Sequence, residues 1–274
     1  MSILQYNNGN ISYEVYGEDS SKTPLVLIHG FPLDRREWEL QVEEFVKEGH
    51  KVVTYDMRGF GESSLPIESY SHAGDLKELL NSLGIEKAKI CGHSFGGEVA
   101  IDFAIKNPDS VEGLILLSPS LGSFGVDRES PVSRWTALAR EGQIATVKEE
   151  MLAHKSLDLL REKPEEFELI TRIVEGYSGY HFEHKDPAEK TWEIYNKLSQ
   201  VHRPVKVIVG SDDSESSREI AEEIRMKVLN SELQIVEGAG HFLNLENPKV
   251  FNEAVNDFLE DKEGDQEGNV FSII

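Results

Sequence analysis

Cysteine is all but missing: Cys91 is the only one in 274 residues. A single thiol excludes an internal disulfide framework and any zinc site built on cysteines, and it suits a reducing, cytoplasmic setting. Long apolar runs are missing too. Stretches such as Leu25-Val26-Leu27-Ile28 and Leu114-Ile115-Leu116-Leu117 fall far short of the roughly 20 residues that a membrane span needs. The first residues hold no basic region followed by an apolar one, so no export signal is read there. Positive charge is scarce: 28 Lys+Arg face 50 Asp+Glu, a formal net charge of −22. So acidic a surface repels phosphate backbones and anionic headgroups, and neither a nucleic acid nor a membrane is expected as a partner.

What is present is the raw material of a packed domain. Apolar residues make up 39% of the chain, too many for a disordered acidic protein, and the length suits one large domain with an insertion. Residues 3–6 and 11–16, joined through Asn7, Asn8 and Gly9, read as a hairpin. Continuous β-branched or Leu-rich runs follow at 25–28, 51–55, 88–92, 113–117, 205–209 and 233–236. Continuous rather than alternating apolar strands are those covered on both faces. Helical patterns at 38–48, 75–83, 96–107 and 248–259 alternate with them, which predicts an α/β fold with a mostly parallel sheet.

Between 121 and 200 the alternation stops. No strand-like run occurs there, only helical stretches at 132–140, 144–154, 164–177 and 187–198. The expected organisation is a core formed by 1–120 and 201–274 with a four-helix lid inserted between them. This insertion holds 15 acidic and 11 basic residues, so most of the excess acidity lies in the core. From about residue 260 the chain ends in an acidic tail.

The chemistry concentrates at Gly92-His93-Ser94-Phe95-Gly96-Gly97, which follows the 88–92 strand and opens the 96–107 helix. Strand, Gly-x-Ser-x-Gly and helix in that order form a nucleophile elbow, a sharp strained turn that leaves a serine hydroxyl exposed at the sheet edge. A serine needs a base to take its proton and a third group to hold that base. His241, among the glycines of Gly238-Ala239-Gly240-His241-Phe242 after the last strand, is the candidate base. The acid is one of two neighbours that follow the 205–209 strand, Asp212 or Asp213. Asp213, third after Gly210, is the favoured one, and the chain order is then Ser94, Asp213, His241.

Attack on a carbonyl creates an oxyanion that needs two preorganised donors. The Phe95 amide, next to the nucleophile, is one. The Phe31 amide, in the His29-Gly30-Phe31-Pro32 loop after the 25–28 strand, is the other. His29, Gly30, His93, Trp135 and Phe242 are the candidate substrate-pocket residues. The glycines of Asp56-Met57-Arg58-Gly59-Phe60-Gly61 invite a phosphate-loop reading, but the Lys-Ser/Thr pair is missing and no helix follows directly. That loop reads as structural, with Asp56 and Arg58 as its braces. Ser118 reads as structural, and Cys91 as buried and inert. No cofactor and no metal are expected.

HGFPLDRREW from His29, DMRGFGES from Asp56, GHSFGG from Gly92, VIVGSDD from Val207 and GAGHFLNLENP from Gly238 together resemble the α/β-hydrolase superfamily. The likeness is greatest to its small-lid serine esterases, the group that includes carboxylesterases, lactonases and non-haem haloperoxidase-like perhydrolases. It covers about residues 12–259 and implies an α/β-hydrolase fold. It also implies Ser94 as nucleophile, Asp213 as acid, His241 as base, and Phe31 and Phe95 as oxyanion donors. One departure stands out: relatives commonly have a proline-containing turn soon after the acid, whereas Ser214-Glu215-Ser216-Ser217 follows here. Superfamily members that open epoxides or remove halogens carry aspartate at the elbow, so Ser94 argues against both activities.

The expected activity is hydrolysis of small to medium carboxylic esters through an acyl-enzyme, by a monomer or homodimer, with neutral esters favoured by the acidic body. Two alternatives stay open. One is lactone or carbon–carbon bond hydrolysis, or perhydrolysis, on the same three residues. The other is a ligand receptor built on the hydrolase fold.

Overall fold

The computed structural model describes residues 1–122, 124 and 131–260. The acidic tail lies outside the described residues, as do a few positions at the start of the expected insertion. Eight strands form one sheet: β1 (Ser2–Tyr6), β2 (Gly9–Tyr16), β3 (Leu25–Ile28), β4 (Val52–Tyr55), β5 (Ala88–His93), β6 (Val111–Leu117), β7 (Val205–Gly210) and β8 (Ser231–Val236). Their spatial order is β1-β2-β4-β3-β5-β6-β7-β8. β2 runs antiparallel to β1 and β4, and every other pair is parallel. The hairpin turns through Asn7 (φ 47°) and Asn8 (φ 54°), the left-handed pair of a type I′ turn, which asparagine tolerates.

Along each central strand, side chains alternate between two apolar layers. Val26, Ile28, Ile90, Leu114, Leu116, Val207 and Val209 pack on one side, with Leu76 and Leu79 of helix α2 (His72–Ser82), Val99 and Phe103 of α3 (Phe95–Lys106) and Ile220 and Ile224 of α9 (Glu215–Lys227). Leu25, Leu27, Cys91, Ile115, Leu117 and Ile208 pack on the other, with Phe45 of α1 (Glu39–Lys47) and Phe251 and Val255 of α11 (Pro248–Glu260). This is why the sequence of these strands is continuously apolar. In chain order the helices are α1 (Glu39–Lys47), α2 (His72–Ser82), α3 (Phe95–Lys106), α4 (Val132–Arg140), α5 (Ile144–Leu152), α6 (Pro164–Gly176), α7 (Tyr180–Glu183), α8 (Ile194–Lys197), α9 (Glu215–Lys227), α10 (Leu243–Glu246) and α11 (Pro248–Glu260). No helix among the described residues is long and apolar enough to cross a membrane.

Helices α4 to α8 fill the interval between β6 and β7, and their buried residues, among them Val147, Ile170, Ile173 and Phe182, join the α2–α3 layer. The helix expected over 187–198 is corrected here. Ala188 bridges to Tyr70, and the Glu189 N–H donates to the Tyr70 carbonyl at 2.8 Å, which holds this stretch extended. Helix resumes only at Ile194, and α7 forms upstream, after Gly179 at φ 85°.

Parallel strands end on the same edge, so the loops after β3, β5, β7 and β8 converge there. The sheet order places the β3 loop beside the β5 loop, and the β7 loop beside the β8 loop.

Candidate active site

Ser94 stands between β5 and α3 with φ 51° and ψ −115°, a region in which a non-glycine residue is strained. The surroundings enforce it. The Ser94 N–H donates to the Leu117 carbonyl at 2.9 Å, while its own carbonyl accepts from Gly97 at 3.0 Å and from Ser120 at 2.9 Å. A methyl group at Gly92 would overlap the Gly96 carbonyl, and one at Gly96 would overlap the Ile28 carbonyl. The turn therefore closes tightly only without side chains at those two positions. Among the described residues, the Ser94 hydroxyl makes no hydrogen bond, and the Phe31 and Phe95 amides have no acceptor. All three residues are half-buried.

Asp213 follows β7, and its carboxylate meets His241 Nδ1 at 3.1 Å from Oδ1 and 3.0 Å from Oδ2. Asp213 is 7% exposed. Asp212, by contrast, turns outward and accepts from the Ser211 hydroxyl at 3.1 Å. Of the two aspartates, Asp213 is the one that reaches His241. Burial pushes the Asp213 carboxyl up, but the His241 charge and hydrogen bond outweigh it, and the group is held down at about 2. Burial acts against the His241 imidazolium, yet the Asp213 charge and hydrogen bond prevail and raise its pKa. With Nδ1 directed at Asp213, His241 has Nε2 left for a proton from elsewhere.

The chain after Asp213 needs no proline turn. Asp213 Oδ1 accepts from the Ser214 N–H at 2.7 Å, and the Ser214 hydroxyl caps α9 by accepting from the Ser217 N–H at 3.0 Å. The unusual Ser-Glu-Ser-Ser stretch is thus a helix start.

The His241 loop is held by Glu246, which no motif in the sequence marks as a clamp. Its carboxylate accepts the Gly240 N–H at 2.5 Å and the Phe242 N–H at 3.1 Å, the two amides that flank His241. Burial raises the Glu246 pKa against the lowering pull of those two amides. An acid one short helix beyond His241, in a loop otherwise made of glycine and apolar residues, was the available signal.

Two of the candidate pocket residues, His29 and His93, lie beneath the site. His29 is fully buried; its Nδ1 lies 2.9 Å from the Gly30 carbonyl, and its Nε2 accepts the Met57 N–H at 3.0 Å. His93, 1% exposed, donates from Nε2 to the His241 carbonyl at 3.0 Å. With both ring nitrogens facing protein atoms, these histidines support the loops from beneath. Gly30 contributes backbone only, and a Cβ there would meet the His93 ring. Phe242 packs edge-on at 5.4 Å against both the His93 and His241 rings.

The wall around Phe31 comes from the segment between β6 and β7. The Phe31 ring meets Phe182 at 5.4 Å, His181 at 5.8 Å and Tyr177 at 6.0 Å, all edge-on. Trp135 reaches this group through Phe182 at 6.2 Å. His181 stacks on Phe60 at 4.2 Å and meets the Tyr177 hydroxyl at 2.9 Å; burial pushes its pKa down to about 4. Neither Tyr177 nor His181 was visible as a site residue, because helical spacing reports a buried face without saying what it faces.

Asp56 accepts from the backbone amides of Arg35 at 2.8 Å and Glu62 at 2.9 Å. Arg58 pairs with Asp75 at 2.7 Å and donates to the Tyr6 carbonyl at 2.8 Å. Both brace loops, Arg58 on the hairpin side. Among the described residues, no group of three or more His, Cys, Asp or Glu side chains is placed to hold a metal ion.

The family model described as "Alpha/beta hydrolase family" matches residues 25–254. A putative non-heme chloroperoxidase of Synechocystis is 27% identical over 95% of this chain and 99% of its own length. A thermophilic esterase from Thermogutta terrifontis superposes with a TM-score of 0.77 at 28% identity, over 92% of this chain and 93% of that one. The enol-lactonase from Burkholderia xenovorans superposes with a TM-score of 0.80 at 23% identity, over 95% and 100%, a likeness of fold.

Proposed function

The chain belongs to the alpha/beta hydrolase family, and from that premise we propose that it is a serine hydrolase cleaving small to medium carboxylic esters through an acyl-enzyme. One observation carries the reading: the Asp213–His241 pair, with its carboxylate buried and its imidazole partly exposed, shares a sheet edge with a strained Ser94 whose hydroxyl is free. In the proposed reaction His241 Nε2 takes the Ser94 proton as Oγ attacks the ester carbonyl. The Phe31 and Phe95 amides stabilise the oxyanion. The proton then passes to the leaving alcohol, and His241 activates a water that releases the acid. Asp213 fixes the imidazole tautomer and stabilises the transient imidazolium.

Residues 121–200 act in this reading as a lid whose Tyr177, His181 and Phe182 close over Phe31. This aromatic wall, with a net charge of −22 around it, favours neutral acyl groups over anionic ones. The similarity to the Thermogutta esterase supports ester chemistry. The test is hydrolysis of p-nitrophenyl acetate, butyrate and octanoate, with lactones and added peroxide as comparison arms, by wild type and Ser94→Ala. The expected result is ester turnover that the substitution abolishes. Equal rates for the two proteins overturn the assignment.

A further inference from the structure

Glu37 is fully buried, on a short helical turn, Arg35–Trp38, that follows the Phe31 loop. Its Oε2 accepts the Gly30 N–H at 2.9 Å. Its Oε1 lies 2.5 Å from His93 Nδ1 and 3.5 Å from Asn244 Nδ2. His93 in turn donates from Nε2 to the His241 carbonyl. The carboxylate and the imidazole, both buried, face each other across that gap. The pair thus touches the peptide before Phe31 and the backbone of His241, and His93 itself is the residue before Ser94.

We propose that Glu37 and His93 are a buried positioning pair that holds the Phe31 loop, the Ser94 turn and the His241 loop in one catalytic register. The inference rests on the reading of Ser94 as nucleophile and His241 as base. Neither member reaches the reacting atoms. Glu37 acts by orienting the Gly30–Phe31 peptide, and His93 by anchoring the His241 main chain. A buried polar pair is a poor route to stability, since apolar residues of the same volume serve as well or better. Its place between three loops that must agree within a fraction of an ångström gives it a different use.

The test compares wild type with Glu37→Gln and His93→Gln, and runs Ser94→Ala in parallel. Both pair variants are expected to lower kcat on p-nitrophenyl acetate roughly tenfold to a hundredfold with KM nearly unchanged. Affinity for an alkyl boronic acid, which mimics the tetrahedral state, is expected to fall by a similar factor. Circular dichroism reports whether each variant is folded. If Ser94→Ala is inactive while both folded pair variants keep the wild-type kcat, or change only KM, the positioning inference is overturned and the serine-hydrolase reading survives. If Ser94→Ala keeps the wild-type rate, it is the serine-hydrolase reading that fails. Loss of fold in both pair variants assigns the pair to folding and also overturns the inference.

Discussion

His241 Nδ1 is bracketed by both carboxylate oxygens of Asp213, at 3.0 and 3.1 Å. The two charges stabilise each other in opposite directions. Asp213 is lowered from 3.8 to about 2, and His241 is raised above 6.5. The Asp213 contribution to stability is complete above the unfolded value near 4 and is lost as pH falls through about 2; it amounts to about 2 kcal/mol. The His241 contribution is complete below 6.5 and is lost as pH rises through its higher folded value.

Activity follows the opposite branch of the same titration, because the base must be neutral. The acid limb of kcat/KM is expected to have its midpoint above 6.5. In Asp213→Asn that midpoint should fall and kcat should drop by about 10³- to 10⁴-fold. A pH–rate profile of both proteins on a p-nitrophenyl ester measures it; an unmoved midpoint in the variant would falsify the pairing as the cause.

Glu246 supplies the acceptors for both amides that flank His241. Glu246→Ala leaves two buried N–H groups unpaired and is expected to cost about 2–4 kcal/mol in urea unfolding. Glu246→Gln keeps one acceptor oxygen and should lose about half as much. Both should slow turnover more than they raise KM, since the displaced group is the base. Equal unfolding free energies for wild type and Glu246→Ala would remove the clamp from the account.

Glu98, on the first turn of α3, ties the start of the helical segment between β6 and β7 to Thr191, ahead of α8. It accepts from the Ser120 hydroxyl at 2.9 Å and the Gly122 N–H at 2.8 Å, and it bonds the Thr191 hydroxyl. Glu98→Ala should destabilise the protein by about 1–3 kcal/mol and speed amide exchange at Gly122. Hydrogen exchange resolved to that amide is the check; unchanged protection contradicts it.

Strand positions were legible in the sequence because a doubly covered strand must be apolar at every residue, as Leu25 to Ile28 are. The Ser94 turn was legible because its glycines are sterically obligatory. The three buried glutamates, Glu37, Glu98 and Glu246, were not. Along one dimension a glutamate in a helical pattern is a solvated face, and only tertiary packing turns it inward onto amides. The proximity of His29 and His93 to the site in sequence does not reveal which way their side chains turn. The stretch before Ile194 reads as helix locally, but its pairing with Tyr70, more than a hundred residues away, overrides that preference.

The most direct test of the account is covalent labelling of the protein with a fluorophosphonate, followed by peptide mass spectrometry. A single phosphonyl adduct is expected on Ser94, formed in step with loss of ester hydrolysis, and none in Ser94→Ala. An adduct on another residue, or full activity after Ser94 is labelled, contradicts it.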